Sequence, residues 1–136
     1  MNPHSFILLI IAILAVDIRA YKNPVQGSRD SPDPGVVYDG QFYYSVTTEG
    51  WDGHYFPVWR SKDLFNFTHE GWVFMKKPSW AVSDFWAPEI HIIGHSYAVY
   101  YTARDSSGHL CIGVGYSDKP TGPFIDKGAP LLRNAT

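Results

Sequence analysis

The chain has 136 residues, 45% of them hydrophobic and 16% aromatic, with a formal charge of −2. So small a net charge gives no electrostatic reason to expect nucleic acid or an anionic membrane surface as a partner. The one cysteine, Cys111, excludes an intramolecular disulfide and a thiolate-pair metal site, and within LCIGVGY it reads as a small buried apolar residue.

In chain order, the first feature is FILLIIAILAV, residues 6 to 16, an unbroken apolar run. A membrane span needs about 20 such residues, so this run is too short. It reads as the core of a secretory signal peptide over residues 1–20, which would leave 21–136 as a secreted, extracellular chain with no membrane association after cleavage. A buried N-terminal strand and a membrane anchor are the alternatives. The sequons Asn66-Phe67-Thr68 and Asn134-Ala135-Thr136 fit export by a eukaryotic route, although such triplets are common by chance.

Four short strands are expected next, near 34–39, 41–48, 55–61 and 70–75. Turn signals separate them, of which Asp39-Gly40 between apolar runs is the sharpest. Four more are expected near 89–93, 96–103, 109–116 and 124–132. The second group repeats the first. PGVVYDGQFYYSVTT (34–48) lies over PEIHIIGHSYAVYYT (88–102), with Pro34 on Pro88, Gly40 on Gly94, Tyr43 on Tyr97 and Thr48 on Thr102, all 54 residues apart. VWRSKD (58–63) lies over VGYSDK (114–119) at a spacing of 56, and Gly71 over Gly128 at 57. A repeat of roughly 40–60 residues made of four antiparallel strands is the sequence form of a β-propeller blade. The expected fold is therefore all-β, with four-stranded antiparallel blades near 30–80 and 81–136. A β-sandwich whose hairpins resemble one another is the alternative. Two blades leave apolar faces uncovered, so the chain reads as the front part of a longer protein.

The innermost strand of a propeller blade runs along the central channel. The residues ahead of two such strands gather at one mouth of that channel. SPDP (31–34) and FWAPE (85–89) hold equivalent places in the two copies. Pro32 and Pro34 stiffen the backbone around Asp33, so its carboxylate is expected at the axis, where a fixed carboxylate suits general-base work. Phe85, Trp86 and Trp51 are candidates to stack on the C–H face of a sugar. The competing reading of Asp33 is a turn residue capping its own backbone. The six histidines show no metal-ligand spacing, and His91 reads as a strand histidine rather than a ligand. Asp63 and Asp118, in matching SKD and SDK turns, read as turn chemistry. Tyr43, Tyr44, Tyr100 and Tyr101 read as packing between blades.

The runs NPV (23–25), PDPGVVYDGQFYY (32–44), PVWRSKDL (57–64), FWAPEI (85–90), YYTAR (100–104) and CIGVGYSDKPTGPF (111–124) together resemble glycoside hydrolase family 43. The resemblance runs from about Asn23 to Leu132, with the motifs in the family's order. It implies a five-bladed β-propeller, of which this chain would be the first two blades, and secreted enzymes that cut arabinose- or xylose-containing plant polysaccharides with inversion at the anomeric carbon. It implies Asp33 as general base, Trp86 and Ala87 as walls of the sugar pocket, and Glu89 as a pocket or structural hydrogen-bonding residue. Trp51 falls in a loop where relatives often place an aromatic. The resemblance also implies a glutamate general acid and an aspartate that tunes it, both after the stretch that ends here at Thr136, while Glu49 and Glu70 match no catalytic motif. The chain is thus expected to be incomplete and inactive alone. α-L-Arabinofuranosidase or endo-arabinanase activity is favoured over β-xylosidase, with a polysaccharide or oligosaccharide as partner. A non-catalytic carbohydrate-binding propeller is the rival reading. No cofactor is required. Some relatives carry a calcium ion in the channel, and nothing in these residues establishes one.

Overall fold

Turn residues cut the chain into short segments that pair as antiparallel strands. The computed structural model describes residues 30–48 and 50–133. The leader expected over 1–20, the NPV run, Glu49 and the Asn134 sequon lie outside the described residues. The first sheet holds β1 (Gly35–Tyr38), β2 (Tyr43–Val46), β3 (Tyr55–Ser61) and β4 (Thr68–Phe74) in that spatial order. The second holds β5 (Ala81–Ile93), β6 (Ser96–Asp105), β7 (Leu110–Ser117) and β8 (Ile125–Asp126), with β9 (Leu132–Arg133) also on β7. Among the described residues no helix is long and apolar enough to cross a membrane.

The repeat seen in the sequence survives as register. Gly35 opposes Val46 and Tyr38 opposes Tyr43 in the first sheet, and 54 residues on Glu89 opposes Tyr100 and Ile92 opposes Tyr97. Tyr43 opposes Ser61, and Tyr97 opposes Ser117. The hairpin glycines match too: Gly40 has φ +100° and Gly94 φ +62°, a region open to glycine at little cost. Asp39 caps the first of these turns by accepting hydrogen bonds from the amides of Gln41 and Phe42, both at 2.8 Å. The Phe42 amide above all holds the Asp39 carboxyl below its ordinary range.

Each sheet is an up-and-down meander, and β1 lies against β5. This is the arrangement of adjacent propeller blades, not of a Greek-key sandwich. Gly35 permits the contact: a Cβ there would stand 2.5 Å from the Pro88 carbonyl oxygen and 2.9 Å from Glu89 Cα. The core lies between the sheets. Tyr44, Val46, Phe56, Val58 and Phe74 of the first meet Ile90, Val99, Tyr101 and Ala103 of the second. The Tyr101 ring sits 5.0 Å from Phe74 and 5.6 Å from Phe56, and its hydroxyl donates to Asp126 Oδ2 at 2.6 Å. Burial pushes that phenol far up. Tyr44 and Tyr101 are thus packing residues, as expected. Tyr116, Ile125 and Leu132 remain exposed on the second sheet.

Two strands depart from expectation. β5 starts at Ala81, eight residues early, and takes in FWAPE, so that motif lies inside the strand rather than ahead of it. Its register on β6 shifts between Ala81 and Ser83, Ser83 and Trp86, and Trp86 and Glu89. Such bulges break the two-residue alternation by which a strand is recognised. The expected strand 124–132 is two short pieces, β8 and β9, both on β7. Between them Asp126 Oδ1 accepts from the Gly128 amide at 2.7 Å, Gly128 turns at φ +88°, and Pro130 has no N–H for the ladder.

Of the two outer-turn aspartates, Asp63 behaves as turn chemistry, whereas Asp118 reaches out of its own turn to the start of β6. Asp63 accepts from the amides of Phe65 and Asn66 and from Ser61 Oγ, and Asn66 Nδ2 donates to its second oxygen at 2.8 Å. Asp118 accepts from Ser96 Oγ at 3.0 Å. Glu70 pairs with Arg60 at 2.8 Å.

Candidate active site

Asp33 sits between two prolines with φ +51°, which aspartate tolerates better than most residues, at a cost of about 1–2 kcal/mol. Its carboxylate is exposed, and its partner is not the backbone of its own turn. Oδ2 accepts from Thr48 Oγ1 at 2.9 Å. Thr48 Oγ1 in turn accepts from the Ala87 amide at 2.6 Å, while the Thr48 amide donates to the Pro32 carbonyl at 2.9 Å. Ala87 also has positive φ, +46°, because it lies in the bulged part of β5. One threonine therefore ties the PDP loop of the first blade to the WAP segment of the second.

Beside this bridge opens a cleft of about 400 Å³. Trp51, Tyr55, Phe85 and Trp86 give it aromatic walls, and Thr48, Asp52 and His54 give it polar groups. Trp86 is 43% exposed, with a free face large enough to meet a ligand. Trp51 is braced edge-on by Trp72 at 4.1 Å and meets the tilted His69 ring at 5.5 Å. Phe85 does two jobs. It lines the cleft and packs on Tyr55 at 4.3 Å, with Phe56 and Tyr101 behind it. His54 Nδ1 lies 3.0 Å from the Met75 carbonyl oxygen, so Nδ1 donates in that contact.

Asp33 itself is not a cleft-lining residue. It reaches the cleft through Thr48. Glu89 stands exposed at the seam of β1 and β5, its Oε2 3.1 Å from where a Cβ on Gly35 would be, and it too is outside the lining. The structure thus brings together Trp51, Phe85 and Trp86 around the cleft, with Asp33 and Ala87 joined at its edge and Glu89 apart. His91 is exposed and meets the Tyr100 ring edge-on at 5.7 Å. Among the described residues no three His, Cys, Asp or Glu groups are placed to hold a metal ion.

Sequence reasoning missed Thr48, His54 and Tyr55. Thr48 matches Thr102 in the repeat, so it read as a β-branched strand residue. His54 and Tyr55 follow directly on the Trp51 loop, and that adjacency was the available signal.

Glycosyl hydrolases family 43 is the family whose model matches, over residues 21–135. Xylosidase/arabinosidase 43A of Humicola insolens is 40% identical over 52 residues, 38% of this chain and 16% of that protein. A xylosidase/arabinosidase of Bacteroides ovatus is 30% identical over 115 residues, 73% of this chain and 35% of that protein. The crystal structure of a thermostable family-43 glycoside hydrolase superposes with a TM-score of 0.72 at 34% identity, over 83% of this chain and 37% of that one. At most the chain spans 37% of the length of these relatives.

Proposed function

The chain belongs to family 43 of the glycosyl hydrolases, and we propose that it supplies the general base and part of the sugar pocket of an inverting pentosidase. The observation that carries this reading is the Asp33 carboxylate, bridged through Thr48 to the amide of Ala87 beside the Trp86 wall. Asp33 takes a proton from a water. The water oxygen bonds to the anomeric carbon as the bond from that carbon to the leaving oxygen breaks, on the opposite face. The product forms with inverted configuration.

A general acid must protonate the leaving oxygen from about 6.5–9.5 Å away from the base. Of the described glutamates, Glu70 is spent on Arg60 in the first sheet and Glu89 stands outside the cleft lining, so neither is assigned as that acid. The substrate class is xylose- or arabinose-bearing plant polysaccharide, with arabinofuranosyl linkages the first to test. The names of the curated relatives support the class. The reaction as drawn uses no cofactor. Secretion through the leader over 1–20 fits a polymer substrate met outside the cell.

A dinitrophenyl pentoside isolates the base step, because dinitrophenolate departs without a proton. The 136-residue chain, expected to be inactive on substrates that need the acid, should still hydrolyse this one, and NMR should show the inverted anomer forming first. Asp33→Asn should slow this turnover by about 10²–10⁴-fold, the usual worth of a positioned base, and leave sugar binding largely intact. A variant as fast as the parent rejects the role. An ordinary aryl arabinofuranoside should resist the chain, and its turnover would show that the acid is already present.

A further inference from the structure

We infer that Thr48 is the positioning residue of this site, selecting which oxygen of Asp33 takes the proton and setting that carboxylate against the Trp86 wall. The inference rests on the reading of Asp33 as base. A hydroxyl has one proton and two lone pairs. The Ala87 amide at 2.6 Å occupies a lone pair, so the proton is directed to Asp33 Oδ2 at 2.9 Å. Oδ2 is thereby engaged, and Oδ1, with no hydrogen-bond partner among the described residues, is the oxygen left for water.

The Thr48 side chain has little freedom to do otherwise. Its β-branch restricts χ1, and its own amide is tied to the Pro32 carbonyl at 2.9 Å. Both residues it bridges, Asp33 at φ +51° and Ala87 at φ +46°, hold backbone conformations that need outside support. One hydroxyl supports both. The bridge also crosses the gap between blades, so it sets the distance from base to wall that neither blade sets alone.

The test uses the 136-residue chain with Thr48→Val, which keeps the shape and loses the hydroxyl, and Thr48→Ser, which keeps the hydroxyl. On the dinitrophenyl pentoside, the valine variant should lose about 10–100-fold in kcat with KM changed by less than about threefold, as a base displaced by a fraction of an ångström would. The serine variant should recover kcat to within about threefold of the parent. Amide exchange at Ala87 should accelerate at least about tenfold in the valine variant and stay slow in the serine one. Unchanged kcat in Thr48→Val overturns the positioning role, and so does unchanged Ala87 exchange. Should the parent chain fail to turn over the pentoside, the reading of Asp33 falls, and Ala87 exchange alone then upholds or overturns the bridge.

Discussion

Asp105, at the end of β6, shows how much one buried carboxylate is asked to hold. It accepts from the amides of Ser107 at 2.9 Å and His109 at 3.0 Å, pairs with Arg133 at 2.8 Å, and meets the Cys111 thiol at 3.8 Å. The His109 amide is the largest of the influences that hold its carboxyl below the ordinary value, against desolvation pulling the other way. A carboxyl whose folded pKa is depressed stabilises the fold above its unfolded pKa. That contribution fades as pH falls below about 4 and through the folded value. Asp105→Asn should therefore lower Tm at pH 7, and the gap to the parent should narrow on acidification. Thermal melts by circular dichroism between about pH 2 and 7 check this, and a gap constant across the range would refute it. At this scale the sequence was legible where a residue's neighbours were unusual. Asp33 stood out between prolines and Trp86 in a repeated motif, whereas Asp105 and Thr48 act through partners that only folding brings near.

Strands were legible where apolar runs are bounded by turn residues and recur in the repeat, so β1 to β4, β6 and β7 fall close to expectation. β5 was not, because its bulges spread FWAPE over an irregular ladder. Those bulges are held from the side. Asp84, at φ +57°, is paired with Arg104 Nε, and Arg104 Nη1 donates to the Gly108 carbonyl at 2.7 Å. The guanidinium thereby clamps the bulge of β5 to the turn between β6 and β7. Arg104→Ala should cost about 1 kcal/mol, the range for a half-exposed ion pair with good geometry. It should also speed amide exchange over residues 84–87. Arg104→Lys should not restore protection, since an ammonium cannot reach both partners at once in the guanidinium's fixed fork. Exchange over 84–87 that stays at the parent rate in both variants would show that the bulges hold themselves.

For the whole molecule, the repeat made two blades legible but not which of their faces meet. The answer is a core drawn from both sheets, and the cleft depends on it. Phe56 of β3 is fully buried. Its ring lies 6.2 Å from Phe74 in its own sheet and 6.2 Å and 5.6 Å from Phe85 and Tyr101 in the other. The same Phe85 meets Tyr55 at 4.3 Å at the cleft wall, so the cleft exists only while the sheets are docked. Phe56→Ala should cost about 3–5 kcal/mol, a large share of the roughly 5–15 kcal/mol that holds a small domain folded. The loss should be shared. Amide protection at Val46 in β2 and at Val99 in β6 should fall together, because each contributes to the same cluster. Sugar binding should weaken in step with that protection, although Phe56 does not line the cleft. If Val46 loses protection while Val99 and the sugar affinity keep their parent values, the sheets are independent units and the cleft belongs to one of them.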